Sequence, residues 1–106
     1  MDEFISTLIK EVGAFLAELF SQEKELYQIS DTETLPVIIK IGDITIIIDE
    51  YRISDSGGRL FYDLDCVIDT RSKLGSFIAH IHGPTVDGLI NTFKHFLFQL
   101  ILQEKL

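Results

Sequence analysis

The sequence predicts a single α+β domain in which two helices cover one face of a four-stranded antiparallel sheet. Amphipathic helical patterns stand near the two ends of the chain, and strand-like runs lie between them. The 106 residues suffice for one core of two packed layers and are too few for two cores. The predicted order is α-β-β-β-β-α, a two-layer sandwich built on a β-meander over residues 1–106.

The first helix is predicted over residues 3–29. Its apolar residues recur three and four positions apart and occupy one side of the helix, as in an amphipathic helix. On the opposite side we expect an acidic back formed by Glu11, Glu18 and Glu25. A short coiled coil is the alternative, because four apolar residues are spaced seven apart: Ile5, Val12, Leu19 and Leu26.

A β-hairpin is predicted around Gly42-Asp43, which separates two runs of β-branched residues at 37–41 and 44–48. A two-residue loop with glycine first is typical of a type II′ hairpin turn. The second strand is predicted to continue to Ile53, and residues 54–59 have the serine, aspartate and glycine content of a loop. Both faces of this hairpin are apolar, so the pattern does not indicate which face is buried.

The third and fourth strands are predicted over residues 60–70 and 76–82, where apolar and polar residues alternate. If the polar faces match, residue numbers of opposite partners sum to 145. This register places Asp65 opposite His80 and Asp63 opposite His82, close enough for an imidazole to meet a carboxylate. We therefore expect two Asp–His pairs across the strands.

These four residues have three possible roles. As structure alone, they are ion pairs on a solvated sheet face, each contributing about 0–1 kcal/mol, and this is the interpretation we favour. As a metal site, His80, His82, Asp63 and Asp65 would supply nitrogen and oxygen ligands to a divalent cation. As catalytic groups, a histidine oriented by an aspartate would transfer protons. The prediction is therefore no cofactor, with a divalent metal as the alternative.

A binding surface is predicted on the outer face of the sheet, because the strands hold more apolar residues than one buried face can use. Besides the two Asp–His pairs, we assign to this face a set of apolar side chains: Ile38, Ile47, Tyr51, Ile53, Phe61, Val67 and Ile78.

The last helix is predicted over residues 86–106, with one broad apolar stripe. Phe98 and Leu102 fall on the far side of this helix. Since exposed apolar spots mark interaction sites, we expect these two residues to form an oligomer contact, and the protein to be a homodimer.

The balance of charge disfavours some classes of partner. With 17 acidic and nine basic residues, the formal net charge is −8, whereas nucleic-acid binding depends on cationic contacts to phosphate. A basic protein is the favoured partner. No signal peptide or membrane span is evident, so we expect a cytoplasmic protein. The single cysteine, Cys66, excludes an intrachain disulfide and falls on an apolar strand face.

The predicted function is that of a small acidic, non-enzymatic protein-interaction module. Inhibitors, immunity proteins, antitoxins and phage-encoded binding proteins are examples of this class by size and charge. Enzymatic activity is disfavoured because the chain has neither a glycine-rich phosphate loop nor a nucleophile elbow. The alternatives are a metal- or ligand-binding domain, with or without hydrolytic activity, centred on the Asp/His residues, and a structural subunit of a larger assembly.

Overall fold

The computed structural model describes residues 3–21, 24–30, 32–71 and 75–104. Within these residues, five strands form one antiparallel sheet in the order β1-β2-β3-β4-β5, so the α+β prediction is confirmed with one strand more than expected. The elements are α1 (Glu3–Leu19), a 3₁₀ turn (Lys24–Leu26), β1 (Tyr27–Ile29), β2 (Val37–Ile41), β3 (Ile44–Ser56), β4 (Arg59–Asp69), β5 (Ser76–Gly83) and α2 (Val86–Glu104).

The additional strand β1 comes from a segment predicted to be helical. Helix α1 ends at Leu19, and Ser21 adopts a left-handed φ of 51°, a conformation common where helices end. Tyr27 then pairs with Ile41 of β2. The predicted continuation to residue 29 is wrong, because a short apolar run fits a helix and a strand equally well by periodicity. The coiled-coil alternative fails too, since Leu26 lies outside α1.

The core lies between the two helices and one face of the sheet, called here the inner face. Alternate residues of the central strands point into it, which settles the buried side of the first hairpin. None of these strand residues is more than 1% exposed: Val37, Ile39, Ile41, Ile44, Ile46, Ile48, Leu64, Cys66 and Ile68. The helices contribute fully buried side chains opposite them: Leu8, Leu16, Leu89, Phe93 and Leu97.

A β-bulge interrupts the pairing of β3 with β4. Ile48 pairs with Cys66 and Glu50 with Asp65, so Asp49 is the extra residue. An extra residue reverses the alternation of the strand beyond it. Tyr51 consequently lies on the inner face, where its ring stacks on Phe4 of α1 at a centroid distance of 3.8 Å.

Two residues predicted on the outer face therefore lie elsewhere. Tyr51 and Ile53 share the inner side of the sheet with their pairing partners, Leu64 and Tyr62. The prediction for both was wrong because strict alternation from Ile44 onward takes no account of the bulge.

The β3-β4 hairpin is longer than predicted. Its strands run to Ser56 and from Arg59, so the expected loop over 54–59 is reduced to Gly57-Gly58. Both glycines have positive φ, 62° and 85°, as a type I′ turn requires. The predicted hairpin at Gly42-Asp43 is confirmed by the pairing of the residues on either side of it.

The last helix begins at Val86, as predicted, and is described to Glu104. The predicted end at residues 105–106 and most of the predicted turn between β4 and β5, residues 72–74, lie outside the described residues. Over the part of the chain that the structure describes, no helix is long and apolar enough to cross a membrane.

The close approach of α2 to the end of β5 depends on Gly83. A Cβ atom at this buried position would lie 2.6 Å from the backbone nitrogen of Leu89, well inside van der Waals contact. We predict that Gly83→Ala lowers the free energy of unfolding by about 1–3 kcal/mol, because the start of α2 must shift. Denaturant titration followed by circular dichroism measures the change.

Gly13→Ala is the matched control. The added methyl group would meet only Ile29 Cδ1, at 3.7 Å, and alanine is the better helix former by about 1 kcal/mol. We therefore expect this variant to be as stable as the wild type or more so. Equal destabilisation by the two substitutions would contradict the packing role of Gly83.

Candidate functional site

The outer face of the sheet carries a row of aliphatic side chains that runs across four strands. Ile38 of β2 pairs with Ile47 of β3, Ile47 with Val67 of β4, and Val67 with Ile78 of β5. We call these four residues the apolar row. Ile78 is 68% exposed and Ile38 is 37% exposed, while Ile47 and Val67 are half-buried. The described helices pack on the inner face and leave this row open.

Polar residues of β3, β4 and β5 adjoin the apolar row on the side nearer the β3-β4 turn, where they form two further ranks across the strands. Glu50, Asp65 and His80 form the first rank across the strands. Arg52, Asp63 and His82 form the second. The predicted register is confirmed for both Asp–His pairs. We call these six residues the Asp–His cluster.

Both predicted pairs are in contact through their side chains. The Nδ1 atom of His80 lies 2.7 Å from Oδ1 of Asp65, and Nδ1 of His82 lies 2.5 Å from Oδ1 of Asp63. The imidazoles are more exposed than the carboxylates that hold them, at 56% and 65% against 19% and 14%. Each Nδ1 is therefore engaged on the sheet surface, and neither Nε2 is hydrogen-bonded to another of the described residues.

Arg52 links the carboxylates of Glu50 and Asp65. Its guanidinium donates two hydrogen bonds to Asp65, at 2.8 and 3.2 Å, and one to Glu50 at 2.6 Å. The hydroxyl of Ser54 donates to Asp63 at 3.4 Å. Sequence reasoning missed Glu50 and Arg52, because the bulge at Asp49 is what turns them to the outer face.

The electrostatics of the cluster centre on Asp65. The hydrogen bond with His80 lowers the pKa of the Asp65 carboxyl below its ordinary value of 3.8, desolvation opposes this, and Arg52 adds to the lowering. In return, the hydrogen bond to Asp65 raises the pKa of Arg52. Three carboxylates face one guanidinium, so the cluster carries a net negative charge while its imidazoles are neutral.

The cluster supports two kinds of chemistry in principle. An imidazole whose Nδ1 is held by a carboxylate offers Nε2 to a metal ion or to a proton. Among the described residues, no group of three or more histidine, cysteine, aspartate and glutamate side chains is placed to hold a metal ion together. The four-ligand metal site considered from the sequence stays an untested alternative.

The three glutamates of the predicted acidic back do not all lie on α1. Glu11 forms an ion pair with Lys94 of α2, with 3.0 Å between Oε1 and Nζ, and so contributes to helix packing. Glu18 is exposed on α1, whereas Glu25 lies in the 3₁₀ turn beyond the helix. The expectation that one helix carries all three glutamates is wrong, because α1 ends at Leu19.

Three further predicted residues are accessible to different degrees. Phe61 is 38% exposed, and it pairs with Ser54 on the outer face beyond the cluster. On α2, Leu102 is 54% exposed and Phe98 is half-buried. Their role as an oligomer contact stays a prediction.

A surface concavity at the β1 edge was missed, because this segment was expected to be helical. It has a volume of about 430 Å³ and is lined by Glu25, Leu26, Tyr27, Gln28, Lys40 and Gly42. A second, smaller concavity next to it includes Ile38 and so reaches the end of the apolar row. Alternation of Tyr27, Gln28 and Ile29 was the available signal, but three residues are too few to identify a strand.

The position of Asp65 predicts a pH dependence of stability. Because folding lowers the pKa of this carboxyl, its contribution to the free energy of unfolding is complete above pH 3.8. That contribution is lost as the pH falls through the folded-state pKa. We expect Asp65→Asn to unfold more easily than the wild type at neutral pH, and the difference to disappear in acid. Urea titrations at a series of acidic pH values measure this difference in stability. Asp43→Asn is the control for the loss of one negative charge, because Asp43 lies in an exposed turn. An equal deficit in both variants would contradict the assignment.

Cys66 is predicted to be unreactive in the folded protein. Its side chain is buried on the inner face, and burial, followed by the nearby Asp65 and Asp49 carboxylates, raises the pKa of the thiol to about 12. Since the thiolate is the reactive form, a thiol-specific disulfide reagent should modify Cys66 only after unfolding. Rapid modification of the native protein at neutral pH would refute this, with guanidinium-unfolded protein giving the full reaction for reference.

No known protein family, characterised protein or solved structure matches this chain at a significant level.

Proposed function

We propose that this protein is a non-enzymatic interaction module, and that it binds a basic partner protein through the apolar row and the adjoining Asp–His cluster. The observation that carries the proposal is the alignment of four aliphatic side chains across the helix-free face. An antiparallel sheet with one solvated face is expected to be polar on that face. A contiguous apolar strip there is typical of an interface.

The surroundings of the apolar row match the general anatomy of protein interfaces, in which an apolar centre is enclosed by a polar rim. Gln28, Lys40 and Thr45 provide polar groups on one side of the row, in register with one another. The net negative Asp–His cluster adjoins the other side. Together with the overall charge of −8, the cluster favours a partner whose complementary rim is basic.

This function is consistent with action as an inhibitor, an immunity protein or an antitoxin in the cytoplasm. In such proteins the activity is the occupation of a partner's surface, and no reacting group is required. The proposal does not use Glu11, which is paired with Lys94, or Tyr51, which is stacked on Phe4. The surface proposed is therefore narrower than the one predicted from the sequence.

Ile78→Lys tests the proposal, with Ile53→Lys as the matched control. Both isoleucines lie on strands and are exposed, at 68% and 56%, but they belong to opposite sides of the sheet. We expect one protein to co-purify stoichiometrically from the native cell with the wild type and with Ile53→Lys. Ile78→Lys should reduce its recovery, through a loss of affinity of at least about tenfold, equivalent to about 1.4 kcal/mol.

Purified components then give dissociation constants by titration calorimetry. Because the rim contacts are ionic, affinity should fall as salt is raised. Equal binding by Ile78→Lys and the wild type, or an equal loss in both lysine variants, would contradict the assignment to the outer face. The absence of any stoichiometric partner would remove the proposed function.

A further inference from the structure

We infer that His80 and His82 form a two-imidazole site for a late first-row divalent cation, such as Zn²⁺, Ni²⁺ or Cu²⁺, in which Asp65 and Asp63 orient the ligands without binding the metal. The inference is independent of the proposed function, since it concerns the protein alone. It also differs from the four-ligand site considered from the sequence. Two nitrogen ligands come from one strand, and water fills the remaining coordination positions.

The positions of the two histidines suit a shared cation. They are two residues apart on β5 and on the same face, so their Cα atoms are about 6.6–6.8 Å apart. With metal–nitrogen distances of about 2.0–2.1 Å, tetrahedral binding requires the two Nε2 atoms to approach to about 3.3 Å. Both rings are more than half exposed, which leaves them room to lean towards each other.

The contacts of the carboxylates support an orienting role. A metal-binding histidine usually donates its second ring N–H to a carboxylate, which selects the tautomer and directs the other nitrogen to the metal. His80 and His82 each have this arrangement, with Nδ1 against Asp65 and Asp63. Asp65 also accepts from Arg52, and Asp63 from Ser54. The carboxylates are thus already engaged and less exposed than the rings.

The charge of the cluster favours a cation. Arg52 is paired with both Glu50 and Asp65, which leaves a net negative charge around the two rings while they are neutral. Imidazole nitrogen is a ligand suited to Zn²⁺, Ni²⁺ and Cu²⁺, whereas Mg²⁺ and Ca²⁺ prefer oxygen. We therefore expect selectivity for the late metals over Mg²⁺.

The test is calorimetric titration of the tag-free full chain with ZnCl₂, NiCl₂ and MgCl₂ at neutral pH. We expect saturable binding of about one equivalent of Zn²⁺ or Ni²⁺ and none of Mg²⁺. His80→Asn and His82→Asn should each remove most of the affinity, nearly as much as the double variant does. His95→Asn is the matched control, because it removes an exposed histidine from α2 and should bind as the wild type does.

The aspartate variants test the orienting role. Asp63→Asn and Asp65→Asn should weaken binding by about 10–100-fold, the range for loss of an outer-shell partner. A loss as complete as that in the histidine variants would make the carboxylates direct ligands and overturn their assignment. Unchanged affinity would overturn it as well.

Electron paramagnetic resonance of the Cu²⁺-loaded wild type provides a second measurement, with two coupled imidazole nitrogens expected. Circular dichroism establishes that each variant is folded. The site itself is refuted if the wild type shows no saturable binding, or if His95→Asn loses as much affinity as His80→Asn. Neither result bears on the partner experiment with Ile78→Lys, so the two proposals fail separately.

Discussion

The β-bulge at Asp49 is the constraint on which both faces of the sheet depend. Without the extra residue, Tyr51 would lie on the outer face, and Glu50 and Arg52 would point towards the helices. With it, Tyr51 stacks on Phe4 and ties α1 to the long β3-β4 hairpin. Arg52 is then placed beside Asp65, where it completes the cluster. One inserted residue thus links helix packing to the charge pattern of the open face.

The inner and outer faces differ in what holds them together. Burying an aliphatic side chain contributes about 1.5–3 kcal/mol, and the inner face buries such residues along all the central strands. The ion pairs of the outer face are partly exposed, and exposed pairs typically contribute about 0–1 kcal/mol. The fold therefore rests on the inner face. Substitutions in the Asp–His cluster should leave the protein folded, which makes the outer face accessible to functional tests.

The apolar row and the Asp–His cluster are neighbours on one surface. Asp65 and His80 lie two residues from Val67 and Ile78 on β4 and β5, on the same face of the sheet. A cation bound at the histidines would therefore change the charge of the rim beside the proposed partner surface. The two proposals remain separable, because the metal titration needs no partner and the partner experiment needs no added metal.

The sequence alone determined the features that depend on short-range patterns. Clean alternation in residues 60–70 and 76–82 was enough to identify both faces of β4 and β5 and to pair Asp65 with His80. Composition was likewise enough to show the acidity of the chain. These properties follow from the two-residue period of a strand, which neighbouring residues along the chain display directly.

Tertiary structure decided the features for which the local sequence pattern fits more than one structure. Residues 37–48 are apolar on both faces, and only the docking of α1 and α2 selects the odd-numbered side of β2 for the core. Residues 27–29 become a strand because β2 offers an edge to pair with. The bulge at Asp49 leaves no mark in composition, since it arises from the pairing of β3 with β4. Tyr51 and Glu25 were misplaced for this reason: their environments are set by partners distant in sequence.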